Sequence, residues 1–485
     1  MFARLLSRIT LQPAMDGQLA ARFDGQAVGL GQFSAAASQR AQGLHGGLPL
    51  ASFAADGAVD KEIDLLVRRL ARRGLLEYVV GSAADGKHRG GVDQVVIEPQ
   101  APDYWPRMPE LGAVDLVVLS RFAYLRRRGN DVVLESPRAA ALIRIGDPQI
   151  AAAIATLAIP QSIGTLLRAD GVLSEALLAV LLDCSMLLRI DPAHTGDLRA
   201  AEGDDDLVMW DFHDLVFHTR STEGRQANPL GGLYPYAGIL PPLPAVRPRW
   251  PGPAIDLQPL SGPPAQPLAP VARLLRARQS TRSFDDRKPI TLGELSRLLD
   301  GAARVQSQWQ APVDFGDGDI GPVVDYAPRP YPSGGAAYAL ELYLTVAHCE
   351  GLAPGFYHYD AAAHALMPIE ARAAERDTLL AAAAFAMDAP ATPQVLITIA
   401  ARFGRSAWKY SAIAYALVLK EVGVLTQSLY LVATDMGLGG CAIGNSNIDL
   451  FAKMTGLDVH VEGPVGQFAL GRAEPEGFDE DVAEP

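Results

Sequence analysis

The chain has 485 residues, 49% hydrophobic and 20% charged, with a net charge of -13 at pH 7. That length exceeds one ordinary core and sets two or three domains as the expectation. The acidic balance argues against generic nucleic-acid binding, which needs a basic face, and three cysteines (Cys184, Cys349, Cys441) at no metal-ligand spacing fit a reducing compartment rather than a disulfide framework.

The opening MFARLLSRIT lacks a signal-peptide apolar core, and no run is expected to reach the roughly 20 apolar residues that span a bilayer. A cytoplasmic protein with no membrane partner is the expectation. A helix is expected over Lys61 to Arg73, with Leu65, Leu66, Leu70 and Leu75 on its apolar face. Gly74 caps it, and a strand follows over Leu75 to Val80. The same layout recurs 111 residues later: Pro160 aligns with Pro49, a helix over Ser174 to Cys184 with the first helix, and Met186 to Ile190 with the strand. These read as tandem winged-helix-like units, better suited to docking a peptide or partner than nucleic acid, because the second helix is almost free of basic residues. Between them, alternating strands around Gly129-Asn130-Asp131 read as a hairpin. Arg126, Arg127 and Arg128 read as a solvated strand edge.

His213 and His218 are five residues apart, off the spacing that shares a helix face, and read as core or interface histidines. The acidic loop from Glu202 to Asp206 and the acidic tail from Glu474 read as solvated. Proline and glycine accumulate over 228–270, which excludes helix and interior strand and reads as a semi-rigid linker. The expected organisation is therefore a winged-helix-like unit over 1–110, a hairpin plus second unit over 111–227, a linker over 228–270, and a further domain over 271–485.

After the linker, Arg278, Ser280 and Arg282 form an anion clamp, since guanidinium forks match phosphate oxygens. Thr291 and Glu294 form a capping box at a helix start. Ser333-Gly334-Gly335 is a tight turn into a strand over Leu340 to Val346. A hairpin, a helix over Arg372 to Met387 and a buried strand over Gln394 to Ala400 follow. The stretch from Tyr410 to Met436 is apolar nearly all round and reads as a buried helix, with Lys409-Tyr410 at its mouth and the glycines 437, 439 and 440 beyond its end as a ligand platform. A closing strand ends at Gly471-Arg472. This mixture is an α+β domain, and no G-x-G-x-x-G supports a dinucleotide-binding fold.

On Arg278-Gln279-Ser280-Thr281-Arg282, YPSGGAAY, Lys409-Tyr410, MGLGGCAIG and the terminal ALGR, the region from Pro270 to Glu474 resembles the nitroreductase-fold flavoproteins, and more closely the SagB/ThcOx-type (McbC-like) azoline oxidases. The front half, with WDFHDLVFHTRS, resembles that family's extension. The resemblance implies FMN as cofactor. Arg278, Ser280, Arg282 and Arg472 would hold its phosphate and ribityl chain, Ser333, Gly334 and Gly335 would line the ring, and Gly439 and Gly440 would offer N–H groups near N5. It also implies a homodimer with the site across its interface, an azoline-containing peptide substrate, and a cyclodehydratase as further partner.

Oxidation of a thiazoline or oxazoline to the azole needs a base for the α-proton and a hydride acceptor, and the resemblance places catalysis on Lys409 and Tyr410. At a helix N-terminus and partly desolvated, Lys409 would suit general-base work. Two other readings stand beside this one: a generic NAD(P)H-dependent nitro or quinone reductase, and a non-enzymatic peptide-binding protein on a degenerate flavin fold.

Overall fold

The computed structural model describes residues 1–13, 18–23, 26–53, 57–81, 95–168, 172–190, 207–222, 234–247, 255, 269–314 and 320–474. The chain divides into two compact units, Met1–Pro229 and Leu230–Pro485. The acidic loop, the acidic tail after Glu474 and most of the expected linker lie outside the described residues. Residues 234–247 are exposed and form neither helix nor strand.

In the front unit, β1 (Phe2–Leu5) lies between the short β2 (Leu48–Pro49) and β3 (Leu76–Val80). β4 (Val95–Pro99), β5 (Tyr124–Arg128), β6 (Asp131–Glu135) and β7 (Ala141–Ile145) extend the sheet in the order β2-β1-β3-β4-β7-β6-β5. Helix α1 (Ala58–Arg72) turns into β3 through Gly74, whose φ of 64° lets the Leu75 N–H return to Leu70 O. Ile63, Leu66, Val67 and Leu70 are its buried face. Leu65, expected on that face, is 46% exposed.

The spacing repeat is a repeat of structure. Strand Leu116–Leu119 lies between Gln161–Ser162 and Leu187–Ile190, as β1 lies between β2 and β3. Helix α2 (Glu175–Asp183), capped by Ser174 Oγ accepting from the Leu177 N–H, precedes the third strand as α1 precedes β3. The boundary expected after residue 110 does not separate the copies. β4 pairs with β7 across it, and the buried residues of both copies form one core. The hairpin and β7 cover an edge that β4 would otherwise leave unpaired.

That hairpin turns at Gly129, φ 62°, with Arg128 opposite Asp131. Two of its three arginines are tied more than expected, Arg126 to Glu135 at 2.6 Å and Arg128 to Glu98 at 2.7 Å, while Arg127 is exposed. Helix α3 (Phe212–Arg220) buries His218 against Trp210, ring centroids 5.5 Å apart. His213 is exposed, so only one of the two histidines is a core residue.

In the back unit, β8 (Leu340–Val346), β9 (Gly355–Asp360), β10 (Ala365–Ile369), β11 (Val395–Arg402), β12 (Gly439–Ile443) and β13 (Glu462–Gly471) form an antiparallel sheet. Its order is β10-β9-β8-β11-β13-β12. Strand β11, VLITIAAR, is buried on both faces because helices cover both. Helices α4 (Leu292–Ala303), α5 (Ala373–Met387), α6 (Phe403–Ala407), α7 (Ala414–Asp435) and α8 (Ile448–Thr455) belong to the same unit. Leu379 and Leu380 of α5 and Phe451 of α8 pack with Tyr343, Phe356 and Leu396. On the other face Tyr430 of α7 meets Phe468 edge to face, centroids 4.9 Å apart. This is the α+β domain expected from the sequence.

Helix α7 departs from expectation twice. By length and composition it is apolar enough to cross a membrane, as core helices also can be. It is also not buried all round: Tyr415, Val418, Glu421, Leu425, Leu429 and Ala433 are buried, whereas Ala416, Lys420, Gly423 and Val424 form an exposed stripe.

Candidate active site

The arginine-serine segment begins where helix Pro270–Ala277 stops at Arg278. From there the chain runs extended beside β12 and the end of β13. The Thr281 N–H donates to Gly440 O at 2.8 Å, and the Asp285 N–H to Arg472 O at 2.9 Å. The Arg278 guanidinium lies 5.1 Å from the centre of the Tyr430 ring. The Tyr430 hydroxyl accepts from the Ala442 N–H at 2.8 Å and lies 2.9 Å from Ser280 Oγ. Arg282 is exposed.

Gly439 and Gly440, the glycines expected to offer N–H groups to the ring, lie inside β12 and are buried. A Cβ on Gly439 would come within 2.6 Å of Thr281 Cγ2, and one on Gly440 within 2.3 Å of Phe468 Cζ. Their missing side chains let the extended segment and Phe468 close onto the strand. Arg472 is committed within the chain: its Nη2 donates to both Glu294 oxygens, at 2.8 and 2.7 Å, and its Nε donates to Lys288 O. Burial opposes ionisation of Glu294, but hydrogen bonds from Arg472 and Thr291 outweigh it and hold the carboxyl at about 2.

A second group gathers around the turn at Ser333. Lys409 and Tyr410 do not stand at the mouth of α7. Helix α6 ends at Ala407 and α7 starts at Ala414, so the pair occupies the turn between them, both N–H groups donating to Ser406 O. Lys409 Nζ donates to Gly335 O at 3.1 Å. Gly335 has φ 58°, and a Cβ there would come within 2.2 Å of the Tyr410 hydroxyl and 2.7 Å of Lys409 Nζ. Glycine is therefore what allows both side chains to sit on this turn. Lys409 is exposed, so the desolvation expected of it is not met within a single chain.

Ser333 Oγ donates to Glu421 Oε2 at 2.7 Å and accepts from the Tyr338 N–H at 2.9 Å. Glu421 is 4% exposed in α7, and its Oε1 has no hydrogen-bond partner among the described residues. Burial raises its pKa, partly offset by the Ser333 hydrogen bond, the Arg329 charge and the Ala339 backbone. Gly334 faces Leu417 of the same helix, 3.2 Å from where its Cβ would be.

The expected site residues thus form two groups, not one. Arg278, Ser280, Gly439 and Gly440 collect around Tyr430, with Arg472 tied to the helix start at Glu294. Ser333, Gly334, Gly335, Lys409 and Tyr410 collect around Leu417 and Glu421. Leu417 and Tyr430 stand 430 - 417 = 13 residues apart in α7, about 20 Å at 1.5 Å per residue. Sequence reasoning missed Glu421, Tyr430 and the commitment of Arg472 to Glu294. The signal for Glu421 was a carboxylate inside an apolar helix.

Residues 117–227 match the family described as cyanobactin oxidase ThcOx, and residues 275–472 match the nitroreductase family. A Methanocaldococcus jannaschii protein that carries the name nitroreductase is 30% identical over 171 residues, 35% of this chain and 76% of the relative. Among solved structures, a Ralstonia eutropha protein described as a nitroreductase is 24% identical, with a TM-score of 0.32 over 49% of this chain and 100% of its own. The Escherichia coli microcin synthetase McbBCD complex, with truncated pro-MccB17 bound, is matched at 21% identity and a TM-score of 0.36 over 56% of this chain and 97% of that one.

Proposed function

This chain belongs to the nitroreductase family and is an oxidoreductase, and from that premise we propose that it oxidises azoline rings in a ribosomally made peptide with FMN. The observation that carries this reading is the Lys409–Tyr410 pair seated on the left-handed Gly335, beside a serine bound to a buried carboxyl. The match of the front unit to a peptide-oxidase family supports a peptide as substrate.

The donor set fits FMN at one end. Arg278 and Arg282 flank the Ser280 hydroxyl on an extended segment, which suits a phosphate. Arg472, held by Glu294, positions the end of β13 instead. Gly439 and Gly440 keep that segment close to β12, and Ser333, Gly334 and Gly335 form the second wall. When bound, FMN would supply the two-electron acceptor for the ring oxidation.

One of Lys409 and Tyr410 takes the α-proton of the ring, which the adjacent carbonyl and imine acidify, and the other orients the ring. Gly335 O holds the Lys409 side chain toward Tyr410. Glu421 fixes the Ser333 hydroxyl, and through the Tyr338 N–H the whole turn.

The two groups lie at opposite ends of one helix whose side carries an exposed stripe. A homodimer pairing α7 with its copy in antiparallel sense would set the Tyr430 end of one chain against the Leu417 end of the other. The site would then be completed and Lys409 partly desolvated. A cyclodehydratase is the proposed source of the azoline.

The test is conversion of an azoline peptide, read as loss of two hydrogens in mass per ring. Lys409→Ala and Tyr410→Phe are expected to retain FMN absorbance and lose conversion; full conversion by both variants would refute the assignment. The name of the M. jannaschii relative favours a second reading, reduction of nitro compounds by NAD(P)H. Bleaching of the flavin by NADPH with turnover of a nitroaromatic, and no azoline conversion by the wild type, would establish that instead.

A further inference from the structure

A second constellation of reactive type lies in the back unit and shares no residue with the two groups above. Ser296, on α4, places its Oγ 3.0 Å from Nε2 of His364. Nδ1 of the same ring is 2.8 Å from the hydroxyl of Tyr359, on β9. A hydroxyl within hydrogen-bond reach of an imidazole, itself oriented by a third group, is the signature of an activated nucleophile. Tyr359 is 2% exposed, and burial first of all pushes its hydroxyl up to about 12, so it stays neutral. In the tautomer that donates its Nδ1 proton to the Tyr359 oxygen, Nε2 accepts the Ser296 proton.

The three groups open on a cavity of about 380 Å³. Its remaining wall is apolar: Leu292, Leu295 and Leu299 of α4, Leu352, and Leu366 with Ala365 at the start of β10. The polar atoms of the site are thus concentrated on one side of an apolar pocket, the layout of a site that holds an acyl chain and presents its carbonyl to a hydroxyl. His364 sits in the turn between β9 and β10 with φ 51°. That conformation is uncommon for a side-chain-bearing residue and is often retained where a side chain has a task.

We propose that Ser296 is a nucleophile for carboxylic esters with short apolar acyl groups, with His364 as its base and Tyr359 as the residue that positions the ring. Ser296 Oγ attacks the ester carbonyl carbon while its proton passes to His364 Nε2. The bond from that carbon to the leaving oxygen then breaks, and the alcohol departs with the proton, leaving an acyl ester on Ser296. Water, deprotonated by the same nitrogen, attacks the acyl carbon, releases the carboxylic acid and restores the serine. No oxidation state changes. Ser296 lies inside α4, where its own N–H belongs to the helix ladder, so it does not supply the oxyanion donor that gives acyl-transfer enzymes much of their rate. The expected behaviour is therefore acylation with slow turnover.

The purified full chain is treated with a fluorophosphonate probe and mapped by peptide mass, and separately with p-nitrophenyl butyrate. The expected results are a covalent adduct on Ser296 and nitrophenol release, reduced on the order of 100-fold by Ser296→Ala and by His364→Gln. Tyr359→Phe is expected to lower acylation only several-fold, and FMN content is expected to be the same in Ser296→Ala as in the wild type. A folded wild type without an adduct on Ser296, or nitrophenol release unchanged in Ser296→Ala, would show that the three groups only tie the turn to α4. Neither outcome bears on azoline oxidation, which uses none of these residues.

Discussion

Glu294 and Glu421 are the same residue type, each on a helix of the back unit and each bonded to a hydroxyl residue, yet their surroundings drive them in opposite directions. Glu294 meets the Arg472 guanidinium and the Thr291 N–H, and its carboxyl is held at about 2 despite burial. Glu421 is more deeply buried, bonds Ser333 through one oxygen and has no hydrogen-bond partner for the other among the described residues, and its pKa is raised. Both oxygens of the first are hydrogen-bonded, and they tie Arg472 to the start of α4. The second belongs to the group that holds Lys409 and Tyr410, where an exposed amine and an unpaired buried oxygen persist.

The largest expected effect tests whether the two groups meet in a dimer. Lys409→Ala and an Arg278→Ala/Arg282→Ala variant should each lose azoline conversion by about 10²-fold or more, the second through loss of FMN. Co-expressed, they should recover activity, because a mixed dimer then contains one intact site. Absence of recovery from isolated mixed dimers would remove the antiparallel pairing.

Gly335→Ala comes next. The added Cβ lies 2.2 Å from the Tyr410 hydroxyl at a φ of 58°, so the pair must shift. Conversion is expected to fall on the order of 100-fold, with FMN content retained. An unchanged rate in a folded variant would show that the pair's seat on the glycine is immaterial.

Tyr430→Phe removes the acceptor of the Ala442 N–H and the partner of Ser280. It should cost about 1–3 kcal/mol in denaturant unfolding, and a smaller loss than Ser280→Ala would contradict the network. The smallest effect separates the two glutamates by pH. Because the folded Glu294 titrates at about 2 against an ordinary 4.5, its stabilisation is complete above about 4.5 and fades as pH falls toward 2. Glu294→Gln should flatten that acid limb. Glu421 is raised, so its own contribution to stability falls as pH rises from the ordinary carboxyl value through its higher folded value. Glu421→Gln should gain in Tm over the wild type at pH 7 and not at pH 4. Parallel pH responses in the two variants would break the contrast.

Much of the back unit was legible along the chain. The capping box at Thr291, strand Leu340–Val346, the β9–β10 hairpin and the helix before Met387 are local patterns of turn chemistry and apolar period. The repeat in the front unit was legible for the same reason, since each copy carries its own helix, glycine or serine cap and strand. The hairpin of Trp309–Asp314 with Ile320–Tyr326 was missed, its apolar residues being few and interrupted.

The sequence by itself determined which residue types stand ready. Two arginines and a serine suit an anion, a lysine and tyrosine suit proton transfer, and glycines stand where backbone must pass closely. Only the tertiary structure decided what each of them touches. Arg472 met Glu294 across 178 residues of chain, Gly439 and Gly440 became room for Thr281 and Phe468, and Lys409 came to rest on Gly335 rather than at a helix mouth. Periodicity and turn chemistry act over a few residues. Ion pairs, close approaches and burial are set by segments far apart in sequence, brought together when the sheet closes.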